Sequence, residues 1–238
     1  MTNKNDPIAM LGLISKKQSE IMLLNIYKGL PISYDAYIKS INTAEIRVLS
    51  NRYQLACLHH QGETYIRERD LPFVIRSRVK ELDLENEEAV LSGLEIAPEN
   101  IGNRMGVRVE PAGAMEASLQ LKDRQAAITA PISDISTHGA TVYLDNGQLA
   151  GKQLQVGEDA NLTFSLPQVD PLAEIEIHSR GKILAVNPDP LTGRQRLRMR
   201  LFFTETDHPA VFQYVSRRQS EIIQDLSRLA DEIYQREK

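Results

Sequence analysis

Arg104 and Arg108 stand four residues apart in Arg104-Met105-Gly106-Val107-Arg108, and Asp134, Ser136 and Gly139 follow in Asp134-Ile135-Ser136-Thr137-His138-Gly139. A guanidinium is a planar fork that binds phosphate oxygens in pairs, and its flat face stacks on bases. The same fork matches the O6/N7 edge of guanine. A carboxylate at Asp134 can accept hydrogen bonds from guanine ring N–H and amino groups, and the Ser136 hydroxyl can add a further polar contact. On an extended strand these two side chains project from the same face. Gly139 removes a side chain where the backbone must turn or a base must approach closely. Taken alone, each motif has a plainer account: solvated linker charges for the arginines, a hydrogen-bonded strand-entry turn for Asp-x-Ser-x-x-Gly.

Both motifs need elements to carry them. Residues 98–108 hold Pro98, Gly102 and Gly106 among polar groups, which predicts an inter-domain linker with the arginine pair at its end. A loop of that kind can close over a ligand, and drawing Arg104 and Arg108 onto the Asp134 strand would also pull on the connection between domains. After Gly139 the alternation of Ala140-Thr141-Val142-Tyr143-Leu144 predicts a strand. Further strands are predicted at Met115 to Leu121, Ala126 to Pro131, Leu162 to Leu166, Ile175/Ile177 and Ile183 to Val186, with turns at Asp145-Asn146-Gly147 and Arg180-Gly181. The run Arg194 to Phe202 sets arginines on one face and apolar groups on the other. That face can be solvated, can dock a partner, or can add phosphate contacts. A closing helix is predicted from about Pro209 with Asp207 as its cap, and its stripe of Val215, Ile222, Leu226, Leu229 and Ile233 suits packing on a barrel or a self-association seam.

Upstream, residues 1–13 read as a tail. Ser15-Lys16-Lys17-Gln18 has capping-box spacing, Ile21, Met22 and Leu24 are apolar, and Gly29 with Pro31 can end a helix there. Short alternating runs follow at Ile46/Val48, Tyr53/Leu55/Cys57, Phe73/Ile75/Val79 and Ala89 to Ile96. Residues 14–97 therefore predict a helix followed by a small antiparallel barrel or sandwich. Cys57-x-His59-His60 offers metal-ligand types, but on a strand Cys57 and His59 would face away from His60 and no second ligand cluster lies nearby, so no metal site is expected.

The 238 residues suffice for two modest domains. A net charge of −4 argues against general nucleic-acid coating or attraction to an anionic membrane, so any anion site must be local. A single cysteine fits a reducing compartment, no secretory leader is read, and no stretch approaches a membrane span. Asp134, Ser136 and His138 stand in a row on one strand and cannot make a nucleophile-base-orienter triad, and no phosphate-binding Gly-Lys-Ser/Thr loop occurs, so catalysis is not expected.

In order and separation, the arginine pair and the Asp-x-Ser-x-x-Gly resemble the site of the PilZ domain, the bacterial receptor module for cyclic di-GMP. Val156-Gly157, the alternation to Leu166-Pro167, and a helix after the last strand are also similar to that domain. Residues 14–97 occupy the place of the N-terminal barrel in flagellar-brake (YcgR-like) proteins, by position and pattern alone. The resemblance implies a mostly β protein of two small antiparallel barrels with an N-terminal and a C-terminal helix, the second barrel in residues 109–238. It implies a cytoplasmic receptor that needs no cofactor and binds cyclic di-GMP through Arg104, Arg108, Asp134, Ser136 and Gly139. Signalling would run through domain reorientation and a protein partner such as flagellar-motor or polysaccharide and secretion machinery, in motility, biofilm or adhesion control, with a homodimer among the options. The alternatives are an adaptor without a nucleotide and, less in keeping with the acidic balance, a ligand-controlled DNA binder. One departure stands out: where the last strand of the family usually carries a glycine before its final Phe, this chain has Arg198 to Leu201.

Overall fold

The computed structural model describes residues 6–16, 20–69, 71–97, 106–122, 126–149, 154–168, 173–190 and 192–236. The chain divides into two compact units, Met1–Tyr27 with Pro31–Met105 and Ile222–Lys238, and Lys28–Leu30 with Gly106–Glu221. Linker residues 98–105, Arg104 among them, lie outside the described residues.

The first unit contains α1 (Pro7–Lys16), β1 (Ile21–Tyr27), β2 (Leu30–Ile41), β3 (Glu45–Ser50), α2 (Arg52–Gln61), β4 (Glu63–Arg67), β5 (Ile75–Asp83) and β6 (Glu88–Ile96). Its strands close into a barrel in the order β1-β2-β3-β6-β5-β4. Two expectations are corrected here. The helix does not start at Ser15: it begins at Pro7, where the Asp6 carboxylate accepts from the amides of Ile8 and Ala9 at 3.0 and 3.4 Å. Ile21 to Tyr27 is a strand, because Ile21, Leu23 and Tyr27, on one face, are buried while Met22, on the other, is exposed. Lys28 and Gly29, at φ 47° and 81°, take the two left-handed positions of a tight hairpin, so Gly29 turns a strand pair and does not stop a helix.

The second correction concerns Tyr53/Leu55/Cys57. These lie on a helix, not a strand. The Asn51 side chain accepts from the amides of Tyr53 and Gln54, and Gly62, at φ 69°, closes the other end with its amide on Leu58 O. Gln54 through Leu58 are all buried, which an alternating half-buried strand could not achieve. A polar cluster ties α2 to the strands: Gln54 Nε2 and Thr64 Oγ1 donate to Asn25 Oδ1 at 2.7 and 2.8 Å, and Asn25 Nδ2 donates to Glu63 O at 2.7 Å. Cys57 is fully buried, and burial pushes its thiol up to about 12. No group of three metal-ligating side chains occurs among the described residues.

The second unit holds β7 (Glu116–Leu121), β8 (Ile128–Ser136), β9 (Gly139–Leu144), a 3-10 turn (Asn146–Leu149), β10 (Asp159–Pro167), β11 (Glu174–Pro188) and β12 (Gln195–Phe202). These close in the order β10-β11-β12-β9-β8-β7 around a core that includes Leu119, Ile135, Val142, Leu162, Ile183 and Met199, all 0% exposed. Arg180-Gly181 is no turn: β11 runs unbroken through it, with Gly181 between Ala160 and Leu201. A Cβ there would lie 2.9 Å from Leu201 Cδ2 and from Met199 Cε, so the glycine lets the strand pass a crowded point. Asp145-Asn146-Gly147 enters the 3-10 turn, with the Gln148 amide on Asp145 O at 3.0 Å, in place of a two-residue hairpin loop.

The final helix, α3, spans Asp207–Arg236. Its start is held by Thr204, whose Oγ1 accepts from the Asp207 amide at 3.1 Å, a role expected of Asp207. Val211, Val215, Ile222, Leu226, Ala230 and Ile233 are buried and Leu229 is only half-buried, so the stripe follows ordinary helical spacing. Residues through Glu221 group with the second unit and those from Ile222 with the first.

Removing the α2 cap by Asn51→Ala should cost about 1 kcal/mol, read as a lowered urea midpoint with unchanged slope. At pH 8 Cys57 should resist a thiol-alkylating reagent in the folded protein and react on denaturation; equal rates in both states would contradict the burial of α2.

Candidate functional site

A single backbone contact assembles the site. β7 runs alongside β8 only as far as the pairing Glu116↔Pro131, and a bulge follows between Ile132 and Asp134. The segment after the linker takes the vacated edge: the Val109 amide donates to Ile135 O at 2.9 Å, and the Ile135 amide donates to Val109 O at 3.0 Å. Val109 and Ile135 are both fully buried. Since side chains alternate, their neighbours Arg108 and Asp134 face out of the barrel side by side.

Arg108 Nη1 donates to Asp134 Oδ1 at 2.8 Å and to Thr141 Oγ1, across on β9, at 3.0 Å. Asp134 is left 8% exposed and Thr141 0%, so the arginine covers both. Arg196 Nη2, from β12, stands 3.8 Å from Asp134 Oδ2. Two guanidiniums thus share one carboxylate, and the cluster carries a net positive charge in which an anion is favoured. Tyr143 sits opposite Arg196 on the same face, and burial pushes its phenol upward.

Ser136 serves the turn between β8 and β9. Its hydroxyl donates to Gly139 O at 3.2 Å and accepts from the His138 amide at 3.3 Å. A Cβ on Gly139 would collide with the carbonyl oxygen of Met199 on β12, so the missing side chain is required by strand packing whatever binds above it. Gly106, the first described residue of the linker, lies over this turn, its Cβ position 3.5 Å from His138 Nδ1. On the other flank the buried Arg218 of α3 donates from Nε to Glu110 O at 2.8 Å and pairs through Nη1 with Glu221 at 2.9 Å. That contact anchors the chain two residues beyond Arg108.

Arg108, Asp134, Ser136 and Gly139 therefore meet in one place, while Arg104 lies outside the described residues. Sequence reasoning missed Thr141 and Arg196 as members of the cluster. Thr141 was within reach, two residues past Gly139 in the same alternation; Arg196 depends on the pairing of β12 with β9, which no local pattern reports.

No protein-family profile matches the sequence, and no curated protein matches it. Solved structures do. The Bacillus subtilis Inhibitor of motility (MotI/DgrA) is 18% identical over 85% of this chain and 96% of its own, with a TM-score of 0.46. The K. pneumonia MrkH-c-di-GMP complex is 15% identical over 93% of this chain and 94% of its own, at 0.40. The PilZ domain of Escherichia coli YcgR with c-di-GMP is 14% identical over 52% of this chain and 98% of its own, at 0.39. The chain is similar to PilZ-domain proteins.

Gly139→Ala should destabilise the second unit by about 1–3 kcal/mol or more, because the collision is with backbone and not with a movable side chain. A double-mutant cycle of Arg108→Ala and Asp134→Ala, followed by urea unfolding, should return a coupling of about 1.5–3 kcal/mol, the range of a hydrogen bond to a charged group; additive losses would mean that the pair does not form in solution.

Proposed function

We propose that this protein is a cytoplasmic receptor that binds cyclic di-GMP on the outer face of its second barrel. On binding, it passes the signal on through a change between its units and through a protein partner in motility, polysaccharide or adhesion control. The observation that supports this reading is the pairing of Arg108 with the carboxylate of Asp134 beside the Ser136–Gly139 turn, arginines and an acceptor on the outer side of the barrel wall. A guanine offers its N–H and amino groups to Asp134, and its phosphates meet the arginines. Arg104, by its resemblance to the first arginine of the family motif, is proposed to close over the ligand from the linker. No catalytic role and no bound metal or cofactor is proposed for these residues.

A second reading has its own observation. Arg108, Asp134 and Thr141 satisfy one another's hydrogen bonds and Ser136 is bonded within its own turn, so the face can also stand as a finished structural cluster in an adaptor that binds no nucleotide. No helix among the described residues is long and apolar enough to cross a membrane.

Calorimetric titration with cyclic di-GMP separates the two. The receptor reading expects saturable binding, weakened roughly ten- to over a hundred-fold by Arg104→Ala or Arg108→Ala, each of which removes a charge-assisted contact of about 1.5–3 kcal/mol. No heat and no thermal shift at high ligand would leave the adaptor.

A further inference from the structure

Strand β12 presents Arg196, Arg198 and Arg200 outward, alternating with the buried Leu197, Met199 and Leu201. In register they stand opposite Tyr143, Thr141 and Gly139 of β9, and Thr141 and Gly139 stand in turn opposite Asp134 and Ser136 of β8. The arginine row is therefore the continuation of the Asp134/Ser136 face, two strands over, at about 10 Å for a strand spacing near 4.8 Å. Nearby cations are committed elsewhere: Arg194 pairs with Asp145 at 2.8 Å, Arg196 approaches Asp134 at 3.8 Å, and Arg108 is held by Asp134 and Thr141. Arg198 and Arg200 have no carboxylate partner among the described residues. Arg200 lies over the Phe202 ring at 5.4 Å, which limits the positions its fork can take. Lys182 of β11 stands beside it.

Resting on the proposed function, we infer that Arg198 and Arg200 are further ligand-binding residues of the same site, gripping phosphate of a cyclic dinucleotide whose guanine is held at Asp134. A cyclic dinucleotide carries phosphate on both sides of its ring, and with a base at Asp134 the strand order β8-β9-β12 lets one of them reach along the sheet to β12. Two adjacent guanidiniums without carboxylates are suited to it as bidentate donors, and the surface beside Arg200 is kept low by Gly139, which has no side chain.

The test is calorimetric titration of cyclic di-GMP into the full-length protein and four variants: Arg198→Gln, Arg200→Gln, Arg200→Lys and Arg194→Gln. Arg198→Gln and Arg200→Gln should each weaken binding about ten- to a hundred-fold. Arg200→Lys should recover part of that loss, since a point charge still meets phosphate without the fork. Arg194→Gln removes the same charge from a paired arginine on the same strand approach and should bind as the unmodified protein does. Binding by the unmodified protein that is unchanged in Arg198→Gln and Arg200→Gln overturns this inference and leaves the receptor intact. An equal loss in Arg194→Gln also overturns it, showing a general field in place of contact. Absence of binding by the unmodified protein removes the receptor reading, and this inference with it.

Discussion

The site depends on one pair of backbone hydrogen bonds, those between Val109 and Ile135. Strand geometry has a period of two, so once Val109 and Ile135 point into the core, Arg108 and Asp134 have nowhere to go but the outer face. A slip of one residue would drive a guanidinium and a carboxylate into an apolar interior, at a cost far above any gain from re-pairing. The bulge before Asp134 and the early end of β7 create the free edge that this pairing requires. Linker and barrel are thus joined by the fold itself, before any ligand chemistry enters.

The same residues that suit a nucleotide also hold the barrel together. Ser136 builds the turn, Gly139 yields to the Met199 carbonyl, and Asp134 is bonded to an arginine that covers Thr141. A motif of this kind serves two masters. Loss of binding in a variant at Gly139 reports on strand packing as much as on ligand contact, whereas the exposed arginines of β12 touch little of the fold and report more directly on what sits above them.

How far the sequence revealed this can be judged element by element. The barrel strands with clean alternation, such as β10 and β12, were legible because one face is buried and the other solvated. Tyr53 to Cys57 was misread because apolar residues every second position also fit a helix buried nearly all round; the decisive signals were Asn51 and Gly62 as caps. Ile21 to Tyr27 was misread in the opposite sense, since apolar residues between capping-box spacing at Ser15 and a stop at Gly29 and Pro31 look like a helix until closure of a barrel demands a strand. Arg180-Gly181 showed turn chemistry, but the glycine answers crowding from β12, a contact between distant stretches. The motifs suggested that Arg108 and Asp134 lie near each other but not that they pair directly, and Arg196 was not legible, for the same reason as Gly181.

Charge decides what such a face can attract. The chain as a whole is acidic, with a net charge of −4, so it offers no general pull on polyanions. Around Asp134, however, Arg108, Arg196, Arg198 and Arg200 outnumber the carboxylate on a patch that runs from β8 across β9 to β12. Beyond about 8–10 Å at physiological salt that excess is screened, and the acidic remainder of the surface dominates. A long polyanion would have to lie across both regions and gains little. A compact dianion whose phosphates fit inside the patch gains from every guanidinium it touches. On charge alone, the small ligand proposed above suits this patch better than nucleic acid does, a ground independent of any motif.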